Sequence, residues 1–195
     1  PGGETYAYTY DALDRVVTAS NNAGTVTLTY DGLNRVTTET FDGRTTSYQY
    51  SIAGRTQTII YPDSSIVLKE YDTRNRLLKI SKNGSALVDY TYNNADQLTG
   101  KSFANGVNST MQYDFANRLS TLTTGNAIQG SSFTYDGEQN KTSINRSNNP
   151  TLSETYSYDN NYRLTNYKRG TIGGPTTTEN IYNYDAVGNR TTANL

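Results

Sequence analysis

Along the chain, short runs in which aromatic or β-branched residues alternate with polar ones are cut apart by tight polar clusters. Tyr8-Thr9-Tyr10 alternates with period two, as does Thr25-Val26-Thr27-Leu28-Thr29-Tyr30; this is the pattern of a half-exposed strand. Arg55-Thr56-Gln57-Thr58-Ile59-Ile60-Tyr61 is a further β-branched run, and no stretch sustains a helical period. Two kinds of turn separate the runs. In the first, an Asp directly follows a Tyr, and its carboxylate can accept from the backbone N–H groups just ahead. Three residues on, the chain needs a left-handed residue to rejoin the ladder as a G1-type bulge. Asp14, Asn34, Gly54, Asn75, Asp96, Asn117 and Gly188 stand there, all types that tolerate positive φ; Gln139 and Tyr162 break the pattern. The second kind follows about 13 residues after that Tyr, at Asn22-Ala23-Gly24, Asp42-Gly43, Pro62-Asp63, Asn83-Gly84 and Asn105-Gly106, where Asn-Gly and Asp-Gly are strong hairpin signals.

The spacing of the first turn makes the chain a repeat. The anchor tyrosines are Tyr10, Tyr30, Tyr50, Tyr71, Tyr92, Tyr113, Tyr135, Tyr158 and Tyr184, at steps of 20 to 26 residues. Seven are followed by an acid: Asp11, Asp31, Asp72, Asp114, Asp136, Asp159 and Asp185. A basic line accompanies them, formed by Arg15, Arg35, Arg55, Arg76, Arg118, Arg163 and Arg190. The expected fold is all-β: nine repeats of about 21 residues, two short strands each, in a coiling antiparallel strip stabilised by near neighbours. Residues 1–195 form one array, tightly periodic over 1–125 and looser over 126–195, where turns swell at 126–130, 145–150 and 170–175.

Composition narrows the function. Leu, Ile, Val and Phe supply only 34 of 195 residues, below the roughly 20% at which a packed core becomes doubtful. With 17 basic and 18 acidic residues the charge nearly cancels, so this is no charge-driven disordered tail, nor the basic surface that nucleic acid requires. The 18 tyrosines are the material left to hold the sheet. Successive anchor rings are expected to stack on one another, with each Arg bridging to Asp or lying over a Tyr face. There is no His and no Cys, which removes imidazole catalysis, thiolate chemistry and their metal sites. No run approaches a membrane span, and no signal peptide is visible.

Tyr10-Asp11-Ala12-Leu13-Asp14-Arg15-Val16, Tyr30-Asp31-Gly32-Leu33-Asn34-Arg35-Val36 and Tyr184-Asp185-Ala186-Val187-Gly188-Asn189-Arg190 resemble the YD repeats of Rhs proteins, and the resemblance covers essentially the whole chain. It implies a β-spiral forming part of a hollow shell. In bacterial Rhs and toxin-complex proteins that shell encloses a C-terminal toxin, and in teneurins it is a cell-surface adhesion module; such repeats have also been described as carbohydrate-binding. The segment with paired Asp-Pro motifs that performs self-cleavage in the family is missing from these residues, so neither self-processing nor toxicity carries over.

The expected role is a non-catalytic wall or scaffold segment of a large secreted or surface-exposed bacterial protein, without cofactor. Its partners would be adjacent repeats in the same or neighbouring chains, and an enclosed toxin polypeptide or surface glycans. A calcium line along the Asp residues fits less well than turn capping, because the spacing and glycines of calcium-binding arrays are missing. Paired carboxylates such as Asp11 and Asp14 are repeated around the array, which an active site would not be. Two alternatives stay open: a glycan-binding adhesin, and a filament in which Ala193-Asn194-Leu195 of one copy runs into Pro1-Gly2-Gly3 of the next, since Tyr184 to Tyr10 across such a junction preserves the period.

Overall fold

The computed structural model describes residues 5–51, 53–125 and 129–194. The proposed terminal junction and part of the 126–130 turn therefore lie outside the described residues. The chain forms two compact units, Pro1–Tyr90 and Thr91–Leu195. The first contains β1 (Ala7–Tyr10), β2 (Val16–Asn21), β3 (Gly24–Tyr30), β4 (Val36–Phe41), β5 (Arg44–Tyr50), β6 (Thr56–Ile60), β7 (Ile66–Tyr71), β8 (Leu77–Lys82) and nearly all of β9 (Ser85–Tyr92). The second contains β10 (Leu98–Phe103), β11 (Asn108–Tyr113), β12 (Leu119–Thr124), β13 (Gln129–Tyr135), β14 (Lys141–Arg146), β15 (Glu154–Tyr158), β16 (Leu164–Gly170), β17 (Thr176–Tyr184) and β18 (Arg190–Asn194), with one 3-10 turn at Pro150–Leu152. The strands are antiparallel, and within each unit hairpin follows hairpin, each strand pairing with its successor in sequence. The all-β repeat expectation holds.

Every odd-numbered strand ends on an anchor Tyr, and the turn that follows has a fixed chemistry. In the first copy Asp11 N–H donates to Arg15 C=O (2.9 Å) and Asp14 N–H to Asp11 C=O (3.1 Å). Asp11 Oδ1 accepts from the N–H groups of Leu13 (2.8 Å) and Arg15 (3.1 Å). Asp14 is left-handed at φ 58°, and Asn34, Asn75, Asp96 and Asn117 repeat it. Gln139 (φ 73°) and Tyr162 (φ 61°) adopt the same conformation. Closure of the hairpin thus overrides the side-chain preference that sets these two apart in the sequence.

The turn also fixes a register shift. Thr9 pairs with Thr18 but Tyr10 with Val16, so Val17 is the extra residue of a bulge. The same step recurs at Tyr30, Tyr71, Tyr113, Tyr135, Tyr158 and Tyr184. The Tyr50 copy differs, and its sequence shows why: Ser51 replaces Asp. Ser51 N–H donates to Thr56 C=O, one residue farther along, and Tyr50 pairs with Gln57 without a shift. The extra residue sits in the turn instead of in the strand. At the other rim, Asp42-Gly43 and Asn83-Gly84 have positive φ at both positions, as two-residue hairpin turns with matched twist require.

Burial is shallow. Of the described apolar residues only Ile59 and Val88 are more than nine-tenths buried. In β3 the Thr residues at 25, 27 and 29 are exposed while Val26, Leu28 and Tyr30 are half-buried. One face therefore carries hydroxyls, with Thr9–Thr18 (2.6 Å) and Thr40–Thr45 (2.8 Å) bonded across strands; the other carries most of the rings and aliphatics.

Candidate functional site: the Tyr–Asp–Arg seam

Because of the bulge, the ladder between one hairpin and the next opens before it reaches the Asp turns. The β2–β3 pairing stops at Thr18–Thr27, leaving Val16 beyond its end. Tyr30 fills the gap: its hydroxyl donates to Val16 C=O at 2.6 Å. The same bond joins Tyr50 to Val36 (2.9 Å), Tyr113 to Leu98 (2.8 Å), Tyr135 to Leu119 (2.9 Å), Tyr158 to Lys141 (3.0 Å) and Tyr184 to Leu164 (2.8 Å). An anchor Tyr therefore satisfies a carbonyl of the preceding repeat, at 14 to 20 residues' distance along the chain. Spacing alone does not announce this bond, because the register shift at Val17 that creates its acceptor lies beyond the turn that the sequence marks.

The Arg of each copy completes the closure. Arg15 donates from Nε to Asp11 Oδ2 (2.7 Å) within its own turn and from Nη1 to Asp31 C=O (3.2 Å) and Asn34 Oδ1 (2.8 Å) in the next. Its guanidinium carbon lies 4.6 Å from the centre of the Tyr30 ring. Arg35 lies over Tyr50 at 4.2 Å, and Arg118 over Tyr135 and Arg163 over Tyr184 at 4.6 Å. The expected direct stacking of anchor rings is thus replaced by a guanidinium against each of these rings. A close ring pair, Tyr156 and Tyr167 at 5.6 Å, involves no anchor.

The remaining residues of the seam have distinct placements. Arg76 pairs with Asp72 at 2.6 Å. Arg55 follows uncharged Ser51 and is exposed. In the Tyr92 copy Asn93 and Gln97 form a neutral version of the pair (2.7 Å), and Asn140 and Asn189 take the Arg place opposite Asp136 and Asp185. Arg190 stands one residue past that place, 5.8 Å from the Tyr182 ring of its own hairpin. All seven seam aspartates are held below the ordinary carboxylate value. The leading cause is the Arg15 side-chain bond for Asp11, and the backbone N–H of the turn Arg for Asp31, Asp72, Asp114 and Asp159. For Asp136 and Asp185 it is the side-chain bond from Asn140 and Asn189. These carboxylates are anions at neutral pH, held as acceptors by donors of their own turns.

Fold and seam together define a class, a meander of Tyr-Asp hairpins fastened one to the next by side chains. Among solved structures the particular likeness is to the TcdB2-TccC3 chain. Over 97% of this chain, the crystal structure of TcdB2-TccC3 with Cdc42 matches at a TM-score of 0.73 and 18% identity, and TcdB2-TccC3 without its hypervariable C-terminal region at 0.74 and 18%. A Photorhabdus luminescens Tc holotoxin pore matches at 0.52 and 15%. At these identities the likeness is one of fold, in agreement with the resemblance read from the repeat. This chain spans about 12% of the length of each of those chains. No family model and no curated protein matches it.

Proposed function

We propose that the chain is a non-catalytic wall or scaffold segment of a bacterial YD-repeat shell that acts outside the cell or at its surface. The observation that carries this reading is the seam. Where the full set is present, the Tyr hydroxyl and the Arg guanidinium reach the neighbouring copy and the Asp carboxylate holds the turn that aims the Arg, as in a part whose work is to continue a sheet. The fold likeness to chains of toxin complexes supports a shell, and by extension an enclosed polypeptide. One face of four anchor rings is covered by a guanidinium, which makes them poor platforms for sugars.

Electron microscopy of the complete polypeptide containing this stretch tests the proposal, combined with proteolysis. A hollow particle whose interior resists protease is the expected result, and an open ribbon would refute it. A second reading is end-to-end addition of further repeats from a neighbouring chain, which the nearest-neighbour pairing of successive hairpins would allow. Regular fibres in the same micrographs would select it.

A further inference from the structure

The seams of Arg15, Arg35, Arg118 and Arg163 hold a guanidinium in the same place, against an Asp carboxylate behind and a Tyr ring ahead. In three of them Nη1 also reaches the backbone C=O of the next turn's Asp, at Asp31 (3.2 Å), Asp136 (3.1 Å) and Asp185 (3.4 Å). The seam between the Tyr135 and Tyr158 copies keeps the surroundings and changes the occupant. Asn140 stands in the Arg place, and its Nδ2 donates to Asp136 Oδ2 at 2.9 Å. An amide on one methylene is too short to lie over Tyr158 or reach Asp159 C=O. A groove of about 420 Å³ opens there, with Asp136, Glu138, Asn140, Tyr156, Tyr158 and Tyr162 in its lining. Burial, and then the charge of Asp136, push the Tyr158 hydroxyl up. The Gln97 seam is different: Asn93 and Gln97 are neutral, and Gln97 Nε2 itself reaches Asn117 C=O (3.3 Å) and Oδ1 (3.4 Å).

We propose that the Asn140 seam receives the guanidinium of an arginine carried by another polypeptide, which takes the place that Arg15, Arg35, Arg118 and Arg163 take in their own seams. The carboxylates of Asp136 and Glu138 supply the charge, the Tyr158 ring supplies the face, and Asp159 C=O supplies the in-plane acceptor. A planar fork of donors suits this set better than an ammonium point charge. The groove exists whether or not the sheet belongs to a shell.

The test is a titration of the full 195-residue chain with arginine amide and, separately, lysine amide, followed by amide and Asn side-chain NMR signals. Saturable shifts confined to residues 136–162, with arginine amide binding more tightly, are expected. Asn140→Arg fills the seam from within and should abolish the response while raising the unfolding temperature. Asp136→Asn keeps the turn, as Asn93 accepts the same two N–H bonds, and should weaken binding roughly tenfold by removing one charged acceptor. No saturable response, equal binding of the two amides, or binding unchanged in Asp136→Asn would overturn the proposal.

Discussion

The Arg35–Tyr50 contact isolates what a guanidinium adds to a seam. Arg35 lies 4.2 Å from the Tyr50 ring centre, and Tyr50 donates to Val36 C=O at 2.9 Å. Three variants separate the parts: Arg35→Gln, Tyr50→Leu and the double change. Gln occupies this place natively in the Tyr92 copy, so the first variant keeps a workable turn. The Arg35 side chain is 34% exposed, which puts the coupling at the lower end of the cation–π range, about 0.5 kcal/mol. Tyr50→Phe removes only the hydroxyl and should cost about 1 kcal/mol, because the Val36 carbonyl loses its donor. Stability in such an array is a sum of local terms, so a whole-chain melt dilutes the effect. Amide exchange in β4 and β5 is the proper readout, where 0.5 kcal/mol is roughly a twofold change in rate. A coupling within about 0.3 kcal/mol of zero, together with a neutral Tyr50→Phe, would refute the view that these groups hold the seam.

Other outcomes follow from the same geometry. Tyr162 is left-handed and 60% exposed, so Tyr162→Asn should stabilise its hairpin by about 1 kcal/mol, measured as slower exchange in β15 and β16. Acid should loosen the sheet: the seam carboxylates have folded values below the ordinary 3.8, so their contribution is complete above that value and drains away as pH falls through the lower folded values. Circular dichroism should show a plateau from neutral pH down to about that point and a decline below it, and Asp31→Asn should make the decline shallower. A decline that begins near neutrality would contradict this. Gly170 has φ 153° and a Cβ there would run into Pro175 C=O and Thr176 Cα; Gly170→Ala should cost roughly 1–3 kcal/mol, seen as faster exchange at the β16–β17 rim.

The turns were legible in the sequence because each rests on a local rule. Asp after Tyr caps the next N–H groups, and Asn, Asp or Gly three residues on accepts positive φ. The anchors were legible because they repeat. The bonds between copies were not. Tyr30 and Val16 are 14 residues apart, and nothing in either residue type shows that a bulge at Val17 leaves Val16 C=O beyond the end of a ladder. The ring-on-ring expectation failed for the same reason: the seam opens enough to admit a guanidinium between turns, and a charged fork with a carboxylate behind it fills that space better than a second phenol. Arg190 shows the opposite error of scale, since one residue of offset moves it off the seam while the motif still looks complete.

The Asn140 seam also tells how such a sheet tolerates a missing clasp. It is the shortest inter-hairpin pairing described, with only Ser143–Thr155 and Ile144–Glu154 matched. Compensation lies at the far rim of the same two strands. There Ser153 is fully buried, its hydroxyl accepts from Arg146 N–H at 2.9 Å and donates to Asn145 Oδ1 at 3.3 Å, and Arg146 pairs with Glu154 at 3.2 Å. A buried hydroxyl with both bonds made is strongly directional, so the junction is pinned at one end, while the other keeps the Tyr158–Lys141 bond (3.0 Å) but has no guanidinium. At the Arg15, Arg35, Arg118 and Arg163 seams the pin is the Asp–Arg–Tyr clasp on the opposite rim. Exchanging one for the other keeps the meander continuous and leaves a groove where the clasp would be. A thin sheet with almost no core can therefore vary its seams one at a time, each variation costing only its two neighbours, and the Asn140 seam is where the sheet leaves a Tyr face and an Asp carboxylate without a guanidinium between them.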